Sequence, residues 1–265
     1  MSDADDPAEI AGRIAERVGG ARAFVALDND GTLAPITPRP EDARLAPGAS
    51  DAIAALATVA DVVIISGRGL ADLTDRFAGL PVELVTEHGL RHRSIDGAVT
   101  WLVEGLPEAT LERLRSELDE LLPAELRRAG WLVEDKGVTI AVHHRLVDED
   151  ALEPTLTRVQ QVLDRAAATG GHVQAGKAVL ELRPAGADKG AALHQLSAGR
   201  PPGAVAMVGD DLTDESALAF TESQGGIGVL VAAEPRTSAA SARVVDPHAV
   251  VALLGALAAA LRRAR

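Results

Sequence analysis

The sequence predicts an α/β protein, a doubly wound parallel-sheet core interrupted by a smaller inserted α/β domain. Three observations carry that expectation. Apolar runs at residues 23–27, 61–65, 204–208 and 228–231 show no alternation, as strands buried on both faces do. Helical spacing separates the first two, and strand–helix–strand order implies right-handed crossovers. Between about residues 105 and 184 the pattern changes to charged amphipathic helices alternating with pairs of short strands.

In chain order, residues 47–59 place Ile53, Leu56 and Val59 at helical spacing, and 82–85 form a further strand ending at Glu87-His88-Gly89. Residues 106–128 read as one long helix with Leu111, Leu114, Leu118, Leu121 and Leu122 along one face. Strands at 131–134 and 138–143 flank the turn Asp135-Lys136-Gly137. A helix at 149–168 then precedes strands at 172–174 and 179–183. The expected division is a core of 1–104 and 185–265 and an inserted domain of 105–184.

Composition narrows the function classes. Hydrophobic residues make up 47% of the 265 but aromatics only 2%, so Ala, Val, Leu and Ile must fill the core. A formal charge of −13 opposes a nucleic-acid surface, which needs clustered Lys and Arg. An anionic substrate would have to be met by local cations or a metal. Without cysteine, disulfides, thiolate catalysis and Cys-based zinc sites are excluded. The acidic, amphipathic N-terminal stretch lacks a signal-peptide pattern, and no run approaches the roughly 18 apolar residues of a membrane span. The Ala-rich stretch 249–261 reads as a helix packed on the core. The expectation is a soluble, cytoplasmic monomer with neither membrane nor nucleic-acid partners.

Ligands of doubly wound sheets bind at the carboxyl ends of the strands, and the polar motifs of this chain fall there. Asp28 and Asp30, in Asp28-Asn29-Asp30-Gly31-Thr32, can face one pocket if the chain stays extended. With a hard cation, such a pair suits attack on a phosphoryl group, one carboxylate as nucleophile and one as general acid/base. The string equally suits an acidic turn. Asp210, Asp211, Asp214 and Glu215 follow the strand at 204–208. Four acids so close repel one another unless a cation such as Mg²⁺ neutralises them, although a helix N-terminus also attracts acids. Ser66, in Ser66-Gly67-Arg68, can cap a helix or donate to phosphate. Lys189 opens a helix, where the dipole disfavours it, and could bind phosphate and steady Asp28.

Together, Asp28-Asn29-Asp30-Gly31-Thr32, Ser66, Lys189 and the stretch 209–215 resemble the motifs of the haloacid-dehalogenase superfamily. The segments LDNDGTLAPI, VVIISGR, EHG, VEDKGVTIAVHHR, ELRPAGADKGAAL and VGDDLTDESAL resemble the trehalose-6-phosphate phosphatase family over nearly the whole chain. The resemblance implies a haloacid-dehalogenase-like core with an inserted cap, and a phosphorylated disaccharide as substrate. It implies Asp28 as nucleophile and Asp30 as the acid that protonates the leaving oxygen and then activates water. Mg²⁺ would be held by Asp28, the Asp30 carbonyl and Asp210, with Asp214 and Asp211 in support. Ser66, Gly67 and Lys189 would take the phosphoryl oxygens. Glu134, Lys136, Glu181 and Arg183 in the cap, with Arg68 and His88 at the core rim, match positions expected near the sugar, and cap closure would exclude water.

The chain departs from the family pattern at Asn29 and at Leu90-Arg91, where a small residue and Glu are usual. A phosphatase for another glycosyl phosphate is therefore the second reading. A phospho-accepting receiver shares the acids and the lysine but not the insertion or the second aspartate at +2. A silent sugar-phosphate sensor would keep the acids without turnover. His143 and His144 are adjacent on a strand and point to opposite faces, so they suit polar contacts better than one shared metal. Trp101 and Trp131 are expected to pack.

Overall fold

The computed structural model describes residues 4–37, 39, 42–176 and 178–264. The chain forms two compact units, Met1–Leu102 with Asp188–Arg265, and Val103–Ala187.

The first unit begins with α1 (Pro7–Val18), β1 (Ala23–Leu27), α2 (Ala49–Ala57), β2 (Ala60–Ile65), α3 (Leu70–Arg76), β3 (Glu83–Thr86), β4 (Arg91–Arg93) and β5 (Val99–Trp101). The second contains α4 (Glu108–Leu121), α5 (Ala124–Arg128), β6 (Leu132–Asp135), β7 (Ile140–His143), α6 (Glu149–Ala167), β8 (Gly171–Gly176) and β9 (Val179–Pro184). The first unit resumes with α7 (Lys189–Leu196), β10 (Val205–Gly209), a 3₁₀ turn Leu212–Asp214, α8 (Glu215–Ser223), β11 (Ile227–Val231), β12 (Ala242–Val244) and α9 (Pro247–Arg263).

Its sheet runs β12-β11-β10-β1-β2-β3-β4-β5. Pairing is parallel from β12 to β3 and antiparallel at β4 and β5. All residues of β1, β10 and β11 are buried, the burial expected of unalternating apolar runs. Ile10, Ile14, Ile53, Leu56, Leu253 and Leu257 belong to the larger core cluster with Val25 and Leu27. Phe24, Ala26, Val63 and Met207 form another with Leu193 and Leu218. Alternate residues of β1 thus enter different cores, so helices cover both faces. Strand order reverses between β1 and β10, and a crevice at such a switch point opens at the strands' carboxyl ends. Among the described residues no helix is long and apolar enough to cross a membrane.

The second unit is an antiparallel sheet, β6-β7-β9-β8. Its core joins Leu111, Leu114 and Leu118 of α4 to Val159 and Leu163 of α6, with Trp131, Ile140 and Leu182. The single helix expected over 106–128 is two helices. Leu122 leaves helical geometry at φ −116°, ψ 68°, and Pro123 precedes α5. Proline disfavours the helical region for the residue before it and has no N–H to donate. Trp131 packs as expected, 2% exposed, but Trp101 does not. It lies 52% exposed on edge strand β5, with the Arg91 guanidinium 5.6 Å from its ring centroid.

Candidate active site

Asp28 directly follows β1, and its N–H donates to the Val208 carbonyl (2.9 Å), extending the pairing with β10. The chain then turns sharply. Asn29 O accepts from the N–H groups of Leu33 and Ala34, each at 2.9 Å, and Gly31 N–H donates to Ala34 O at 2.7 Å. Gly31 takes φ +85°, and a Cβ there would collide with the Asp210 carboxylate. Only glycine suits both the backbone and the space. Thr32 is buried, and its hydroxyl has no partner among the described residues.

Lys189, the first residue of α7, is 3% exposed. Its Nζ lies 2.6 Å from Asp28 Oδ1 and 2.6 Å from Asp214 Oδ1. The other oxygen of Asp214 accepts the N–H groups of Asp210 and Asp211, each at 3.0 Å. Asp214 therefore shapes the loop carrying Asp210 while anchoring the lysine. Asp28, Asp210 and Asp214 each offer an oxygen within 4.8 Å of the others. Burial raises the Asp28 carboxyl well above its ordinary range; the Lys189 charge opposes that rise, and Asp214 and Asp210 add to it. Burial would lower Lys189, but Asp214 and Asp28 outweigh it and hold the ammonium above its usual value. Three carboxylates facing one ammonium would carry two excess negative charges if all ionised. An all-oxygen donor set of that charge fits a divalent hard cation. Among the described residues no donor reaches Asp28 Oδ2, whereas both oxygens of Asp214 are engaged. Asp28 is thus better placed than Asp214 to take a metal, with Asp210 in the same group of oxygens.

Asp211 lies outside this cluster. It caps the 3₁₀ turn, its side chain accepting from the Asp214 N–H in a reciprocal capping box. Asp30 also stands apart, because Arg68 takes both its oxygens, Nε to Oδ2 and Nη2 to Oδ1, each at 2.6 Å. Burial would raise the Asp30 carboxyl, but hydrogen bonds from Arg68 and its charge prevail and lower it. Glu215 engages Arg236 (2.5 Å), Ser238 (3.1 Å) and the N–H of Ala239 (2.8 Å).

Ser66 is buried at the end of β2, its N–H on Val85 O (2.9 Å). It is not a helix cap. Its Oγ accepts the N–H of Arg68 at 3.2 Å, whereas α3 starts at Leu70, whose N–H donates to Glu87 Oε1 at 3.0 Å. The His88 ring lies against Gly67, where a Cβ would strike Nε2.

In the second unit Glu134, Ala141 and Glu181 face one another across β6, β7 and β9. Glu181 is 4% exposed and accepts from Lys136 Nζ (2.7 Å), Thr139 Oγ1 (3.1 Å) and Arg183 Nε (2.9 Å). Glu134 contacts His143 Nε2 at 2.9 Å. His144, just beyond β7, instead lies 5.9 Å from the Trp131 ring, centroid to centroid, so the two histidines make different contacts.

Two residues outside the expected site bond to the backbone of these loops. Arg236 donates to the Asp210 carbonyl (3.1 Å) as well as to Glu215. Glu87 secures the backbone beyond Ser66. Arg236 follows β11 without a motif around it, and the role of Glu87 depends on the paths of two loops.

A family model described as trehalose-phosphatase matches residues 26–248. The chain belongs to the trehalose-phosphatase family. A probable trehalose-phosphate phosphatase of Sinorhizobium fredii is 31% identical over 240 residues, covering 88% of this chain and 86% of that one. An uncharacterized glycosyl hydrolase of Mycobacterium tuberculosis is 35% identical over 284 residues, covering all of this chain, which spans only 20% of that relative's length. The C-terminal domain of the Candida albicans trehalose-6-phosphate phosphatase superposes with a TM-score of 0.81 at 24% identity, over 98% of both chains. That likeness concerns the fold, and it agrees with the doubly wound α/β class expected from the unalternating apolar runs. Membership of the trehalose-phosphatase family agrees with the segments quoted for the resemblance.

Proposed function

We propose that this member of the trehalose-phosphatase family hydrolyses trehalose 6-phosphate to trehalose and phosphate through an aspartyl-phosphate on Asp28. The buried Asp28–Lys189–Asp214 array beside Asp210, at the point where strand order reverses, carries the reading. The Asp28 carboxylate attacks phosphorus while the bond to the sugar oxygen breaks, and Asp30 delivers a proton to that oxygen. Asp30 then takes a proton from water, whose oxygen attacks phosphorus and frees Asp28 and phosphate. Because Arg68 holds Asp30 ionised, that fork has to let go before Asp30 can act as an acid. Ser66, Gly67 and Lys189 bind the phosphoryl oxygens, and Lys189 offsets charge there. Asp28, the Asp30 carbonyl and Asp210 would hold Mg²⁺, which would supply charge neutralisation on the phosphoryl oxygens. The carboxylates and cations of Glu134, Lys136, Glu181 and Arg183 provide the acceptors and donors that sugar hydroxyls need, and Arg68 and His88 are further sugar-contact candidates.

The family's sequence pattern supports trehalose 6-phosphate first. Asn29 and Arg91 depart from that pattern and support a second reading, another glycosyl phosphate by the same chemistry. A panel of sugar phosphates assayed with Mg²⁺ separates the two. Fastest phosphate release from trehalose 6-phosphate is expected. Release from a different glycosyl phosphate alone would replace the substrate but keep the chemistry.

A further inference from the structure

Glu87 takes no part in the reaction proposed above, yet it is fully buried. Its backbone is left-handed at φ 46°, followed by His88 at φ 57°. Residues with a β-carbon persist in that region only where their surroundings over-determine it. Here the surroundings are the segment 66–70. The Glu87 N–H donates to Arg68 O (3.0 Å), and the His88 N–H donates to Ser66 O (2.9 Å). The Glu87 carboxylate accepts the Leu70 N–H through Oε1 at 3.0 Å. Residues 66, 68 and 70 are thus all tied to one two-residue left-handed turn.

The carboxylate is itself held. Arg91 donates from Nη2 to Oε1 (2.6 Å) and from Nε to Oε2 (3.1 Å), and the Thr86 hydroxyl reaches Oε2. Arg91 is where the chain departs from the family's small-then-Glu pattern. The ion pair accounts for an arginine there, since a buried carboxylate left without its cation would be strongly unfavourable.

We propose that Glu87, braced by Arg91, is a positioning residue that sets the backbone of segment 66–70 so that Ser66 and Gly67 can hold a phosphoryl group. This rests on the phosphatase reading. The geometry needs the carboxylate for two connections at once, to Leu70 N–H and to the arginine fork. An amide at position 87 keeps the shape but loses the charge pairing.

The test compares Glu87→Gln and Arg91→Lys with the wild-type full chain. It reads the inhibition constant of inorganic phosphate, the Mg²⁺ dissociation constant from thermal shifts, and kcat/KM on a sugar phosphate. Misplacing the segment is expected to weaken phosphate inhibition about tenfold or more and to lower kcat/KM, while Mg²⁺ affinity falls several-fold less, because Asp28 and Asp210 follow other strands and the segment reaches the acids through the Arg68–Asp30 pair. If Glu87→Gln does not fold, Arg91→Lys carries the test, with a smaller loss of the same sign. Phosphate inhibition unchanged in the folded variants overturns the inference. So does an equal loss of phosphate and Mg²⁺ affinity, which marks general loosening. A wild-type protein that neither binds phosphate nor hydrolyses any sugar phosphate overturns the phosphatase reading and this inference together. Wild-type activity beside unaltered variants overturns this inference alone.

Discussion

Arg68 closes on both oxygens of Asp30, two contacts of 2.6 Å each, and also reaches Asp72 at 2.6 Å. The Asp30 carboxyl is lowered in the fold. The bridge therefore stabilises the protein above the unfolded carboxyl's value, and its contribution fades as pH falls through the lower, folded value. Arg68→Met should cost about 1 kcal/mol at neutral pH, a small figure because Asp30 is partly exposed. The gap from wild type should close as pH falls below the ordinary carboxylate range. Urea unfolding of metal-free protein at stepped pH measures this, and a gap independent of pH would contradict the assignment.

Asp28→Asn is expected to fold and to lose turnover by about 10³-fold or more, since an amide is not a competent nucleophile here. Lys189→Met leaves buried Asp28 and Asp214 without their ammonium and should cost about 3–5 kcal/mol in metal-free protein. Single-turnover assays and denaturant unfolding read these effects. Full turnover by Asp28→Asn would remove it from the nucleophile's role.

Mg²⁺ should raise the melting temperature of the wild type, because an ion that binds only the folded acidic cluster stabilises it by mass action. Asp210→Asn should abolish that rise. Asp211→Asn should retain it, since its carboxylate caps the 3₁₀ turn, and should cost about 1 kcal/mol or less. Thermal scans across a Mg²⁺ titration compare the three proteins. Loss of the rise in Asp211→Asn would put that carboxylate on the metal.

Gly31→Ala should disturb the site more than its size suggests. The φ of +85° and the collision with the Asp210 carboxylate act together. A cost of about 1–3 kcal/mol is expected from strain, along with weaker Mg²⁺ binding as Asp210 is displaced. Unfolding curves with and without Mg²⁺ test both parts, and unchanged Mg²⁺ affinity would mean that Asp210 does not serve the metal.

Local pattern was enough for the central strands and their order of function. Apolar runs such as 23–27 and 204–208 can only be buried on both faces, and acids at their ends then fall at one edge of the sheet. The same reasoning failed where local signals are short or a single residue overrides them. Arg91–Arg93, Val99–Trp101 and Ala242–Val244 are three-residue strands, too brief for a periodicity and dependent on a neighbour's hydrogen bonds. The leucines of 106–128 keep a helical spacing across Pro123, which ends the helix regardless of which faces are apolar.

By itself the sequence determined the fold class, the carboxylates Asp28 and Asp210 at strand ends, and Lys189 at a helix start, because each follows from periodicity and strand direction within a few residues. Only the tertiary structure decided how the charges divide: Lys189 to Asp28 and Asp214, Arg68 to Asp30, Arg91 to Glu87, and Asp211 to a cap. The Lys189 and Arg68 pairings join residues from different elements, Asp28 and Lys189 being 161 positions apart, whereas Arg91–Glu87 and the Asp211 cap are local and depend on the turn each loop takes. Which acid meets Lys189 or Arg68 depends on loop paths and burial, and no local spacing encodes either.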